Sequence, residues 1–167
     1  MKKLVFLSLS MMCLMALLSA CSRDEGTSGN EASGKYVDLG LPSGTKWKDV
    51  NESGFYTYDQ ALYEFDEKLP SKEQFDELTQ LCYWTWQENG YKVVGPNGKS
   101  IVMPASGYGN EDGGIDDIGR VGYYWSYSIY DSDEYSYYPS VLHFNTSCVE
   151  VTIGWYGEVF SVRLVKD

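Results

Sequence analysis

Thr57-Tyr-Asp-Gln-Ala-Leu-Tyr-Glu-Phe65, followed by Leu69-Pro-Ser-Lys-Glu-Gln-Phe-Asp-Glu-Leu-Thr-Gln-Leu-Cys82, is the stretch whose reading decides the fold class. Thr57 and Ser71 each stand three residues ahead of a glutamine, Gln60 and Gln74. This is the capping-box spacing: the hydroxyl satisfies a free amide of the first helical turn and the glutamine reaches back to the cap. Behind the caps, Tyr58, Ala61, Leu62 and Phe65 fall on one helical face, and Phe75, Leu78, Leu81 and Cys82 form the matching stripe. Pro70 separates the two, because proline disfavours helical geometry in the residue before it. Two short helices with one apolar face each need a sheet to cover them.

Working outward, the remaining segments read as strand and turn. Tyr36 to Leu41 and Thr45 to Val50 flank Pro42-Ser-Gly44. Tyr91 to Val94 and Ser100 to Met103 flank Gly95-Pro-Asn-Gly98, a hairpin signal. Tyr123 to Ser128, Val141 to Thr146, Val149 to Ile153 and Val159 to Val165 follow, the last two predicted to form a hairpin around Gly154-Trp-Tyr-Gly157. Two long irregular pieces, Ala105 to Val121 and Ile129 to Pro139, lie between them, and loops of that length in a compact domain are often functional. The fold class expected is therefore α+β.

Ahead of this domain, Lys2 and Lys3 precede an uncharged run from Leu4 to Ala20, the layout of an export signal. Leu18-Ser19-Ala20-Cys21 resembles the lipobox of bacterial lipoproteins, which implies cleavage after residue 20 and lipid on Cys21. One acyl chain holds weakly at about 0.8 kcal/mol per buried methylene, so lasting anchorage takes two or more. Residues 22–35 then carry one alanine as their only apolar side chain, too little burial to offset ordering, and with Cys21 form a lipidated tether (21–35) with a span of about 20 Å. Residues 36–167 remain as one domain. Arg23-Asp-Glu25 resembles the acidic export tag of Bacteroidetes lipoproteins, and a plain solvated linker accounts for those charges equally well.

The chain has a formal net charge of −11, and loss of the leader's two lysines makes it more acidic still. Such a balance argues against nucleic acid, whose phosphates need a basic face. Of four cysteines, Cys13 leaves with the leader and Cys21 takes the lipid. Cys82 and Cys148 are left, either as a disulfide or as two separate thiols, since spacing alone does not give their separation.

Six motifs in order carry a family resemblance: Tyr36-Val-Asp-Leu-Gly-Leu-Pro-Ser-Gly-Thr-Lys-Trp47, Leu69 to Leu78, Gly90-Tyr-Lys-Val93, Ser100-Ile-Val-Met-Pro-Ala-Ser-Gly-Tyr108, Gly122-Tyr-Tyr-Trp-Ser126 and Phe160-Ser-Val-Arg163. Together they resemble the Fibrobacter succinogenes major paralogous domain, a family found in lipoproteins and surface proteins of gut Bacteroidetes. The resemblance implies a C-type-lectin-like fold, with two helices on small antiparallel sheets, chain ends sharing a strand pair and long loops opposite. It implies no catalytic set, and places Trp47, Trp84, Trp86 and Trp125 in the core. The calcium-and-sugar tripeptides of classical C-type lectins, Glu-Pro-Asn or Gln-Pro-Asp with Trp-Asn-Asp, are absent from the sequence.

Candidate chemistry is sparse. His143 is the only histidine, so neither a nucleophile with its base nor a zinc site of nitrogen and sulfur ligands is supported, and alternation puts it on the strand face away from Leu142 and Phe144. Glu111, Asp112, Asp116 and Asp117 around Gly113-Gly114 supply oxygen ligands of the kind calcium takes, without EF-hand spacing; a solvated acidic loop is the alternative. No cofactor or resident metal is assigned. The aromatic residues say more: 15 tyrosines, with Tyr130, Tyr135 and Tyr137 in the second long loop and Trp155 and Tyr156 at a glycine-bracketed tip. Large rigid faces carrying a polar group suit contact with sugar rings or proteins. The sequence thus points to a non-enzymatic outer-membrane lipoprotein, displayed at the cell surface, that binds an extracellular glycan or protein through these five residues. A self-assembling surface subunit is the alternative, and a polysaccharide hydrolase a third reading.

Overall fold

The computed structural model describes residues 34–110, 112–130 and 137–167; the expected export signal, Cys21, Glu111 and Tyr135 lie outside them. The architecture is α+β: two helices, α1 (Tyr58–Phe65) and α2 (Lys72–Leu81), with four three-stranded antiparallel sheets. Both capping boxes form. Thr57 Oγ1 accepts from the Gln60 amide and Gln60 Oε1 from the Thr57 amide, with the same exchange at Ser71 and Gln74. A 3₁₀ turn, Asp66–Lys68, separates the helices just ahead of Pro70.

The first sheet joins the two ends of the domain, with β2 (Lys46–Lys48) in the middle, β1 (Tyr36–Asp38) on one side and β12 (Val165–Lys166) on the other. Lys35, the last residue of the expected tether, already exchanges hydrogen bonds with Asp49. The second sheet is β3 (Tyr83–Gln87), β4 (Gly90–Val94) and β5 (Ser100–Pro104), and the predicted 95–98 hairpin joins the last two. The third holds β6 (Tyr108–Asn110) between β7 (Ile115–Asp116) and β11 (Glu158–Val159). The fourth is β8 (Gly122–Ile129), β9 (Pro139–Phe144) and β10 (Val149–Ile153), with β9 central.

Two predicted features are corrected. The 154–157 segment is not a hairpin: β10 pairs with β9 and β11 pairs with β6. Gly154 explains the change of partner. A Cβ there would sit 2.4 Å from the Trp125 ring and 2.6 Å from Val141, so the chain presses onto the sheet at this point before turning away. Nor is 159–165 one strand. It runs past Tyr56, β8, Glu52 and β2 in turn, bonding to each, so no single partner accompanies it for its length. The first long loop also contains β6 and β7, which sequence alone leaves irregular.

Two apolar clusters fill the interior. Leu39, Trp47, Phe75, Leu78, Val93, Met103, Leu142 and Phe144 belong to the one beneath α2. Tyr58, Ala61, Phe65, Trp125, Val141, Phe160 and Leu164 belong to the one around α1. Trp47 and Trp125 are fully buried as expected, whereas Trp84 and Trp86 pack against the first cluster from a half-buried edge strand. Arg163 is buried and locks the C-terminal segment in place. Its guanidinium donates to the carbonyls of Lys48 (2.7 Å) and Val102 (2.8 Å) and, through Nε, to Asn51 Oδ1 (2.9 Å). Beside it, buried Lys48 and Glu52 pair at 2.5 Å. Charges this deep persist only when hydrogen-bonded and paired.

Candidate functional site: an aromatic face at one end of the fourth sheet

The face is built where β8 ends, β9 begins and β10 gives way to β11. Trp125 faces Val141 and Ile129 faces Pro139, so β8 carries two more residues than β9 over that interval and bulges. A bulge bends a strand and re-aims its side chains; here Tyr127 becomes exposed and its N–H bonds to the Pro70 carbonyl at 3.0 Å. Ser126 Oγ accepts from the Ser128 amide, and Ser128 Oγ accepts from the amide of Lys72 at the start of α2. The distorted strand is thereby tied to the helix.

Onto this base the 155–156 tip folds back. Tyr138 meets Trp155 edge-to-face at 5.0 Å and Tyr156 at 6.0 Å, and Tyr156 meets Tyr58 of α1 at 5.9 Å. The Tyr156 hydroxyl donates to the Tyr137 carbonyl at 2.5 Å, and the Tyr130 amide donates to the Tyr138 carbonyl at 2.7 Å, closing the base of the second long loop. The Tyr58 hydroxyl donates to the Tyr127 carbonyl at 2.9 Å. Glu158 closes the tip: its amide donates to the Trp155 carbonyl and its carboxylate accepts from the Trp155 amide.

Of the five predicted contact residues, the structure gathers Tyr137, Trp155 and Tyr156 and sets Tyr130 at their base, half-buried; Tyr135 lies outside the described residues. Trp155 and Tyr156 stay about half exposed, at 49% and 47%, while Tyr137 is 82% exposed. Each tip ring therefore keeps part of its surface for solvent while edge contacts hold its angle. Sequence reasoning missed Tyr138 and Tyr58 as the rings that support the tip. Tyr58 was legible only as a core position of α1, and it is both.

Burial shapes the acid–base behaviour of this face. Burial first, then Tyr156 and Asp59, pushes the Tyr58 phenol up to about 12. Burial also raises the Glu158 carboxyl, opposed by its bond to the Trp155 backbone.

Elsewhere, Cys82 and Cys148 are both free thiols. Burial and then Glu77 push Cys82 up to about 11. Cys148 instead stands with His143 and Glu150 on the β9–β10 hairpin, their candidate ligand atoms within 4.8 Å of one another. The expected acidic loop contributes no such group among the described residues: Asp112, Asp116 and Asp117 are exposed, and Asp117 pairs with Arg120 at 3.6 Å. No family model, no curated protein and no solved structure matches the chain.

Proposed function

We propose that the chain is a lipid-anchored bacterial surface protein whose C-type-lectin-like domain binds an extracellular glycan on the aromatic face formed by Tyr137, Trp155 and Tyr156. The observation that carries this reading is the tip itself: half-exposed rings held at fixed angles by Tyr138, Tyr58 and a hydroxyl-to-carbonyl bond. A pre-oriented ring loses little freedom when a flat sugar face stacks on it, and tyrosine hydroxyls supply the polar edge a sugar needs. Support for the fold comes from the two helices, the four small sheets and the shared sheet of the chain ends. The domain acts by binding and carries out no reaction. Cys21 and the following tether hold it at the outer membrane, facing outward.

A glycan array probed with the chain and with Trp155→Ala and Tyr156→Ala tests the reading, alongside protease treatment of intact cells. Glycan signal lost in both variants, with cleavage of the domain on whole cells, is the expected result. Glycan binding that survives both changes contradicts the site, and protection from protease contradicts surface display. Selective capture of protein rather than sugar, or stable self-association through the same rings, would replace the glycan with the other occupant.

A further inference from the structure

We propose that His143, Cys148 and Glu150 form a transition-metal site suited to zinc, at the opposite end of the fourth sheet from the aromatic face. The three residues come from one hairpin whose register pairs His143 directly with Glu150 and brings Cys148 in from the turn. The imidazole Nδ1 lies 3.1 Å from Glu150 Oε1, and Cys148 Sγ lies 4.0 Å from the same oxygen. In a tetrahedral zinc site nitrogen, oxygen and sulfur ligands stand roughly 3.3–3.6 Å from one another. Closing this triangle on an ion therefore takes small side-chain shifts and no change of backbone.

The surroundings hold each ligand in place. Tyr123 lies against the imidazole, with ring centroids 4.6 Å apart and planes tilted by 31°. Asn145 Oδ1 accepts from the amides of Ser147 and Cys148, and the Asn145 amide bonds to the Cys148 carbonyl, so the turn that carries the thiol is pinned twice. The turn is itself fixed to the second sheet, because the Tyr91 hydroxyl donates to the Asn145 carbonyl at 3.0 Å. Such support is what lets a first coordination sphere form without reorganisation.

The donor set selects the metal class. A thiolate and an imidazole favour zinc and its neighbours over calcium or magnesium, which take oxygen ligands. On binding, the thiol proton leaves to solvent and the neutral imidazole presents Nδ1 to the metal with its remaining proton on Nε2. Three protein ligands leave a fourth position open to water or to a group from a partner. This site is independent of the aromatic face and stands or falls separately from the glycan reading.

Cobalt(II) titration of the full-length reduced chain tests it, because a sulfur-bound tetrahedral cobalt gives a near-ultraviolet charge-transfer band. One equivalent should produce the band and zinc should remove it. Cys148→Ser should abolish it, Cys82→Ser should leave it intact, and His143→Ala and Glu150→Gln should each weaken binding by at least about tenfold. In the unmutated chain, zinc should slow alkylation of Cys148 by at least about tenfold and leave Cys82 unchanged. Absence of the band, its survival in Cys148→Ser, its loss in Cys82→Ser, or alkylation of Cys148 indifferent to zinc overturns the site. Far-ultraviolet circular dichroism of each variant separates ligand loss from unfolding.

Discussion

The Tyr156 hydroxyl donates a hydrogen bond to the Tyr137 carbonyl, 2.5 Å away, joining the tip between β10 and β11 to the entry of β9. The two residues are 19 apart in sequence and belong to segments that are not paired as strands. Tyr156→Phe keeps the ring and deletes the bond. The expected cost is about 0.5–1.5 kcal/mol. Since the tip is local and half-exposed, the change should appear as faster amide exchange at residues 155–158, with little movement of the global melting temperature.

Gly154 couples the tip to the core. Its backbone presses on Trp125 and Val141, and a methyl group in that space should cost about 1–3 kcal/mol through overpacking. Gly154→Ala is expected to lower the free energy of chemical unfolding by that amount, with an earlier midpoint, and to shift the Trp155 fluorescence, because the turn must lift away from the sheet. An unaltered midpoint would show that the close approach is not what directs the chain here.

Arg163 ties the Lys48 to Asn51 segment to β5 through the carbonyls of Lys48 and Val102 and the amide oxygen of Asn51. Arg163→Met leaves those acceptors buried without a donor, and the loss expected is about 3–5 kcal/mol, measured by denaturant unfolding. Most of that loss should come from stranding the acceptors. A variant that also replaces Asn51 with leucine should recover part of it.

Alkaline titration reads the support beneath the tip. Tyr58 has a folded-state value of about 12, above the ordinary phenol value of 10.0. Its contribution to stability is thus fully present below the ordinary value and lost as pH rises through the folded one. Ultraviolet titration should show the Tyr58 phenol ionising above the ordinary value of 10.0. Unfolding should set in as Tyr58 loses its proton and with it the bond to the Tyr127 carbonyl. Tyr58→Phe should move that unfolding to higher pH.

What was legible in the sequence was local. The helices declared themselves because caps, stripe and Pro70 lie within one short window, and the 95–98 hairpin because its turn residues sit between its strands. The errors came where partners are distant. Pairing of β11 with β6 joins residues about fifty apart, and nothing in Glu158-Val159 names Tyr108-Gly-Asn110 as its mate. Strand β3 follows α2 without a glycine or proline to mark it; only the alternation of Tyr83, Thr85 and Gln87 outward with Trp84 and Trp86 inward signals a strand. The His143, Cys148 and Glu150 group is local, with His143 and Glu150 only seven residues apart, and was hidden because the turn between its strands was not read. Its signal is the Asn145-Thr-Ser-Cys148 turn, which once recognised places position 143 across from 150. Single-residue counting discarded a lone histidine that folding supplies with partners.

If the rings at 155 and 156 hold the ligand as proposed, a paired substitution separates them from any other exposed aromatic. Tyr63 is 95% exposed on α1 and serves as the control, an accessible ring outside the tip's aromatic contacts. Calorimetric titration of the best glycan from the array should show Trp155→Ala weakening binding by about 1–3 kcal/mol, the scale of an aromatic contact residue, while Tyr63→Ala binds as the unmutated chain does. Equal affinity in Trp155→Ala and the unmutated chain would contradict the assignment of the site.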